Sequence, residues 1–136
     1  MYNTILIPVE SSHIAESAAT IELAKTYAAG DSKIVLLNVF EEIPKWASTN
    51  LPKDLIDNSI QAIQEEMNAV TEAADANIET RIRVGHSYKT ILEVAEETDA
   101  DLIMVASHQP GVQDFFLGST AAKVVRHARC SVLVIR

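Results

Sequence analysis

Gly118-Ser119-Thr120 stands directly ahead of Ala121, Val124, Val125 and Ala128, four apolar residues at helical spacing. A helix that starts there offers an anion three things at once: unpaired backbone amides, the positive end of the helix dipole, and two side-chain hydroxyls. The chemistry open to such a set is the holding of a phosphate. Upstream, Ala106-Ser107-His108-Gln109-Pro110-Gly111 reads as a strand end and a loop able to wrap the same anion, with His108 able to donate to it. Gly118-Ser119 is equally compatible with a plain loop glycine and a helix cap, so its place in the fold decides its meaning.

Other chemistries find little support. The chain has no Gly-x-Gly-x-x-Gly and no Walker lysine motif. His13, His86 and His127 fall on different elements without metal-ligand spacing, so no metal site is expected. Cys130 is the one cysteine, which excludes an intrachain disulfide and reads as a small buried apolar residue. With 11 basic against 19 acidic residues the net charge is −8, which opposes attraction to nucleic acid or an anionic membrane. No segment approaches membrane-spanning length and no signal core follows the first residues, so a cytoplasmic protein is expected. A chain of 136 residues is expected to be one domain, residues 1–136.

The elements that would position these residues alternate strand and helix. Ile5-Leu6-Ile7-Pro8-Val9 reads as a buried strand ended by Pro8, and Ser11 or Ser12 can cap a helix with a stripe of Ile14, Ala18, Ile21 and Ala28 that Gly30-Asp31 breaks. Lys33 to Phe40 is a central strand, because Ile34-Val35-Leu36-Leu37 is apolar without alternation. Pro52 to Asp75 carries Ile56, Ile60, Ile63, Met67, Val70 and Ala74 at spacings of four and three, an amphipathic helix. Thr80 to Val84 alternates and suits an edge strand; a short helix through Ile91, Leu92 and Ala95 leads to a strand from Asp101 to Val105, and a final helix leads to a last strand, Ser131 to Ile135.

Strands that alternate with helices pair in parallel through right-handed crossovers. The expected fold is α/β, an open doubly wound five-stranded parallel sheet of order 3-2-1-4-5 with helices on both faces. Its switch point lies between strands one and four, where ligands bind at the carboxyl ends. Those ends carry Pro8-Val9-Glu10 and Ala106-Ser107-His108, with Asn38-Val39-Phe40 beside them. The last strand is then an edge that is apolar on both faces through Val132, Leu133, Val134 and Ile135, which invites antiparallel pairing with a second copy.

A strand ending Pro8-Val9-Glu10 and a close of Gly118-Ser119, then Val125-Arg126-His127-Ala128-Arg129-Cys130 and a Val-rich strand, resemble the UspA-like universal stress protein family along the whole chain. The Ala106-Ser107-His108-x-Pro110 variant is most similar to the family's F/G-type branch. The resemblance implies an adenine nucleotide alpha hydrolase-like fold and a cytoplasmic ATP-binding protein that forms homodimers and, in some members, tetramers. It also implies adenine against the backbone of Val39, with Pro8, Val9 and Glu10 flanking adenine and ribose. The phosphates would lie against Ala106, His108, Gln109, Gly118, Ser119 and Thr120, with Mg or Mn held through phosphate oxygens. The family's acid at position ten is usually Asp, and neither His108 nor Gln109 supplies the glycine of its usual loop. The expected role is that of a nucleotide-holding stress-response regulator, not an enzyme. The alternatives are a nucleotide-free dimeric scaffold and a slow ATPase.

Overall fold

Three apolar runs without alternation, Ile5-Leu6-Ile7, Ile34 to Leu37 and Leu102 to Val105, are buried on both of their faces, as strands covered by helices on both sides must be. The computed structural model describes residues 1–49, 51–107 and 117–136. The strands β1 (Tyr2–Val9), β2 (Ala28–Glu41), β3 (Ile78–Gly85), β4 (Leu102–Ala106) and β5 (Ser131–Ile135) form one parallel sheet in the order β3-β2-β1-β4-β5. The order is the expected one.

Alternation along each strand divides the core between the two faces. Ile5, Ile7, Ile34, Leu36 and Met104 pack with Ile21 and Ala24 of α1 (Ser17–Tyr27), while a short α2 (Lys45–Ser48) leads into α3 (Lys53–Ala73), whose Ile63 and Met67 join the same cluster. Leu6, Val35, Leu37, Ile103 and Val105 pack on the other face with Ile91, Val94 and Ala95 of α4 (Ser87–Glu97) and Ala121 and Val124 of α5 (Ser119–His127). Each fully buried Leu, Ile or Val contributes about 1.5–3 kcal/mol, which makes these two clusters the main source of stability.

The region after β1 differs from the sequence reading. Instead of one helix capped by Ser11 or Ser12, a 3₁₀ turn (Ser11–His13) comes first and α1 starts at Ser17 without a side-chain cap. The buried stripe runs Ile14, Ser17, Ile21 and Ala24, while Ala18 is exposed. Ser17 can occupy that stripe because its hydroxyl donates to the carbonyl of Ile14, which removes the cost of burying it. Ala28 opens β2, and Gly30-Asp31 lies inside that strand instead of ending a helix. The register moves from Tyr2↔Ala28 to Thr4↔Lys33, so the extra residues of β2 are taken up there. Glycine at 85 has a packing reason: a Cβ there would meet the Thr90 hydroxyl of α4 at 2.6 Å.

Charges dress the β3 edge. Arg81 pairs with Glu79 and Glu97, Arg83 with Glu97, and Lys33 with Glu79. The Arg81 hydrogen bond holds the Glu79 carboxyl below its ordinary range against a burial effect that would raise it. Such an edge resists pairing with another strand.

Asp101 fastens the start of β4 to the start of β1. Its carboxylate accepts from the Asn3 amide at 2.9 Å and the Thr4 amide at 2.9 Å, and its own amide donates to the Thr4 carbonyl at 3.0 Å. Burial pushes its carboxyl up, but the amides of Asn3 and Thr4 outweigh that and hold it below the ordinary value. A depressed folded-state pKa contributes stability above the unfolded value and loses it as pH falls through the folded one. Asp101→Ala is expected to cost about 1 kcal/mol in urea unfolding at pH 7, and to lose less stability than the parent between about pH 4 and pH 2.

Candidate functional site

β1 pairs with β2 along seven registered positions but with β4 only at Ile5↔Leu102 and Leu6↔Ile103. Past those pairs the carboxyl ends of β1 and β4 continue without pairing to each other, and the crossovers that follow them leave toward opposite faces. That is the geometry of a switch-point crevice. A cavity of about 280 Å³ opens there on the α4 and α5 side. Its walls are Pro8, Val9, Glu10 and Ser11 from the end of β1, Val39 and Glu41 from β2, Ser87 and Ile91 from α4, Val105 and Ala106 from β4, and Thr120 and Ala121 from α5.

Of the residues expected at the site, Pro8, Val9, Glu10, Val39, Ala106 and Thr120 therefore share one cavity. Gly118 sits just before α5, where its amide donates to the Ser107 hydroxyl at 3.4 Å and its carbonyl accepts from the Ala122 amide at 2.8 Å. Its backbone angles, φ −57° and ψ 152°, suit any residue, and a Cβ there would meet nothing within 4 Å among the described residues. The described residues therefore do not require glycine at 118; the missing side chain leaves space among them before the helix. Ser119 is the first residue of α5 and is exposed. His108 and Gln109 lie outside the described residues.

Six lining residues were not anticipated as site residues: Ser11, Glu41, Ser87, Ile91, Val105 and Ala121. Glu41 was within reach of the sequence, since it is two residues beyond Val39 and strand alternation puts both on one face. Ser87 and Ile91 are four apart on α4 and share a helix face, but only the packing of α4 over β2 brings that face to the cavity.

Pro8 lies beyond the last β4 pairing, where a missing N–H costs the sheet no ladder bond to β4. Asn38 explains how the turn after β1 is held. It interrupts the apolar run of β2 and is 0 % exposed, yet its amide nitrogen donates to the Val9 carbonyl at 3.0 Å and the Ser11 hydroxyl at 3.1 Å. Its side-chain carbonyl oxygen is buried and has no hydrogen-bond partner among the described residues. One side chain thus pins the segment that carries Glu10, at the cost of an unsatisfied acceptor.

The polar character of the cavity is acidic. Glu10 and Glu41 line it, and no lysine or arginine does so among the described residues. The Glu10 carboxylate stands 3.9 Å from Nε2 of His13, whose Nδ1 is 3.7 Å from Glu16. The Glu41 carboxylate accepts a hydrogen bond from the Ser87 hydroxyl at 2.8 Å. Among the described residues no group of three or more His, Cys, Asp or Glu side chains is placed to hold a metal ion, and no helix is long and apolar enough to cross a membrane.

The family model described as the Universal stress protein family matches residues 1–136. The chain is 32% identical over 147 aligned positions to Universal stress protein G of Salmonella typhimurium, with all of both chains covered. Among solved structures it is similar to universal stress protein UspA from Lactobacillus plantarum, with a TM-score of 0.74, 28% identity and coverage of 99% of this chain and 98% of that one. A universal stress protein in complex with cAMP shares the fold at a TM-score of 0.71 and 22% identity, covering 99% of this chain and 97% of that one.

Replacing Asn38 by Asp tests the pin. A carboxylate there would face the Val9 carbonyl with no donor, and burial would raise its pKa, so stability should recover as pH falls and the group takes a proton it can donate. Asn38→Asp is expected to lose about 3 kcal/mol in urea unfolding at pH 7 and distinctly less at pH 5. An equal loss at both pH values would show that the amide does not hold this turn.

Proposed function

The chain belongs to the universal stress protein family, and on that premise we propose that residues 1–136 form one nucleotide-binding domain that holds ATP and acts as a cytoplasmic stress-response regulator. The observation that carries this reading is the cavity itself. It gathers the ends of β1, β2 and β4 and the first turn of α5 at the sheet's switch point, where open α/β sheets take their ligands. Ribose hydroxyls fit a carboxylate acceptor such as Glu10. Phosphates fit the amides and hydroxyls of Gly118, Ser119 and Thr120 at the start of α5. The cAMP complex of a relative with the same fold supports a nucleotide as the ligand class.

The donor set also fits a nucleotide that brings its own counter-charge. The described lining offers hydroxyls, backbone amides and two carboxylates but no cationic side chain. Mg²⁺ or Mn²⁺ carried by the phosphate oxygens would supply the positive charge that the triphosphate needs there. The protein's own contribution is then orientation by Glu10, Thr120 and the helix start.

Efficient phosphoryl transfer asks for more than this. It uses cations placed on the transferred group and a residue that orients the nucleophile. Among the described lining residues only Glu10 and Glu41 could act as bases, and no lysine or arginine stands by. The reading is therefore a holder of ATP with at most slow hydrolysis. A nucleotide-free dimeric scaffold is the second reading, favoured by the same two carboxylates, which repel a polyanion.

Either reading includes a homodimer, and a tetramer built from dimers is compatible with both. Among the described residues β5 pairs only with β4, and its Val132 to Ile135 are half-buried although apolar on both faces. A second β5 in antiparallel sense would cover that edge.

Millimolar ATP with Mg²⁺ is expected to raise the melting temperature by about 4 °C or more, because a ligand specific to the folded state stabilises it. No rise, with no nucleotide in the extract of denatured purified protein, would favour the scaffold. Phosphate release should stay at the buffer background. Gly118→Val should abolish the ATP-dependent rise and leave the ligand-free melting temperature within about 2 °C, since a side chain there meets no described atom within 4 Å. Sedimentation should give the mass of a dimer or tetramer; a monomer would count against the β5 edge.

A further inference from the structure

A second cavity lies on the same face of the sheet but at its opposite end, and the nucleotide reading does not use it. It measures about 350 Å³, within the range of small-molecule sites, and opens between the last turns of α4 and α5 at the start of β4. Its inner walls are apolar: Leu92 and Ala95 of α4, then Ala100, Ile103 of β4 and the half-buried Cys130. Burial first and Asp101 second push the Cys130 thiol up, so it stands there uncharged.

The rim carries charges of both signs. Glu96 and Asp99 bring carboxylates, Arg129 a guanidinium and His127 an imidazole, and all four residues are exposed. His127 is held as an end wall by its stack on Tyr88, with 6.1 Å between ring centroids. Asp99 is placed by the way α4 ends: the Ala100 amide donates to the Ala95 carbonyl at 2.9 Å and the Asp99 amide to the Glu96 carbonyl at 3.2 Å, with Asp99 at φ 53°. Helices that close in this way usually put glycine at that position, so the chain accepts backbone strain where a carboxylate reaches the rim. Arg129 stands 3.5 Å from Glu96, and with side chains 88% and 66% exposed that pair is weak enough for a ligand to replace.

We infer that this cavity binds a free apolar α-amino acid of about the size of leucine. Its side chain lies against Leu92, Ala100 and Ile103, its ammonium meets Asp99 and Glu96, and its carboxylate meets Arg129. The inner walls ask for an apolar body, and a rim of both signs is answered by a head that carries both. A plain carboxylic acid or a plain amine satisfies one sign and leaves the other against it. The described lining has no residue in common with the switch-point cavity, so the inference stands apart from nucleotide binding.

Calorimetric titration of the full chain with L-leucine, without nucleotide, is expected to show saturable binding with a dissociation constant of about 1 mM or lower. Leucinamide, which lacks the carboxylate, and 4-methylpentanoate, which lacks the ammonium, should each bind roughly tenfold more weakly, the scale of one charge-assisted hydrogen bond at an open rim. Arg129→Gln should bring the preference over leucinamide down to about twofold or less, and Asp99→Asn should bring the preference over 4-methylpentanoate to about threefold or less. Asparagine tolerates the left-handed backbone and both side chains are exposed, so the ligand-free melting temperature should hold. Cys130 is the one cysteine, so its alkylation by iodoacetamide reports on this cavity alone, and saturating leucine should slow it by about threefold or more. No saturable binding of leucine up to about 10 mM overturns the inference. Binding that leaves Cys130 alkylation unchanged overturns it too, as does either variant keeping the wild-type preference. None of these outcomes alters the nucleotide reading.

Discussion

The parting of β1 from β4 is the constraint on which the rest of the structure depends. β1 is the only strand whose two neighbours come from opposite directions of the winding, β2 on one side and β4 on the other. Right-handed crossovers then send α1 and α3 to one face and α4 and α5 to the other. Among the described residues no helix crosses over the carboxyl ends at the seam, and the pairing of β1 with β4 stops at Leu6↔Ile103. The cavity is what that arrangement leaves open.

A strand placed at such a seam has to be secured at both ends, and the chain does this with two polar side chains. Asp101 grips the amides of Asn3 and Thr4 where β1 begins. Asn38 grips the Val9 carbonyl and the Ser11 hydroxyl where it ends. Between them Ile5, Leu6 and Ile7 are buried on both faces, so the strand can neither slide nor turn without exposing apolar surface. Rigidity at β1 is inherited by Glu10, which follows it directly.

The electrostatics of the cavity follow the acidic balance of the whole chain. Glu10 and Glu41 face it and no lysine or arginine lines it among the described residues, so attraction for an anion has to come from backbone amides, hydroxyls and the start of α5. Those groups act at short range and only in one geometry. The same acidity leaves the β2 end of the cavity rich in acceptors, which is where its chemistry differs most from the α5 end.

Much of this was present in the residues. The unbroken runs at Ile34 to Leu37 and Leu102 to Val105 could only be strands buried on two faces, and the spacing of Ile56, Ile60, Ile63, Met67 and Val70 could only be a helix, because burial imposes those periods. Strand order followed from alternation and handedness, and with it the meeting of Pro8-Val9-Glu10 with Ala106 and Thr120. Local pattern misled at α1, where a buried serine satisfied by the Ile14 carbonyl just ahead of the helix stood in the stripe expected of Ala18, and at Gly30-Asp31, where a register shift in β2 replaced a helix end. Asn38 as the pin of the first turn, Ser87 and Ile91 as walls, and the bond from Ser87 to Glu41 belonged to the tertiary structure alone. Each depends on two segments far apart in the chain being brought within hydrogen-bond or packing distance. Periodicity records which face of an element is buried, but not which residue of another element will stand opposite it.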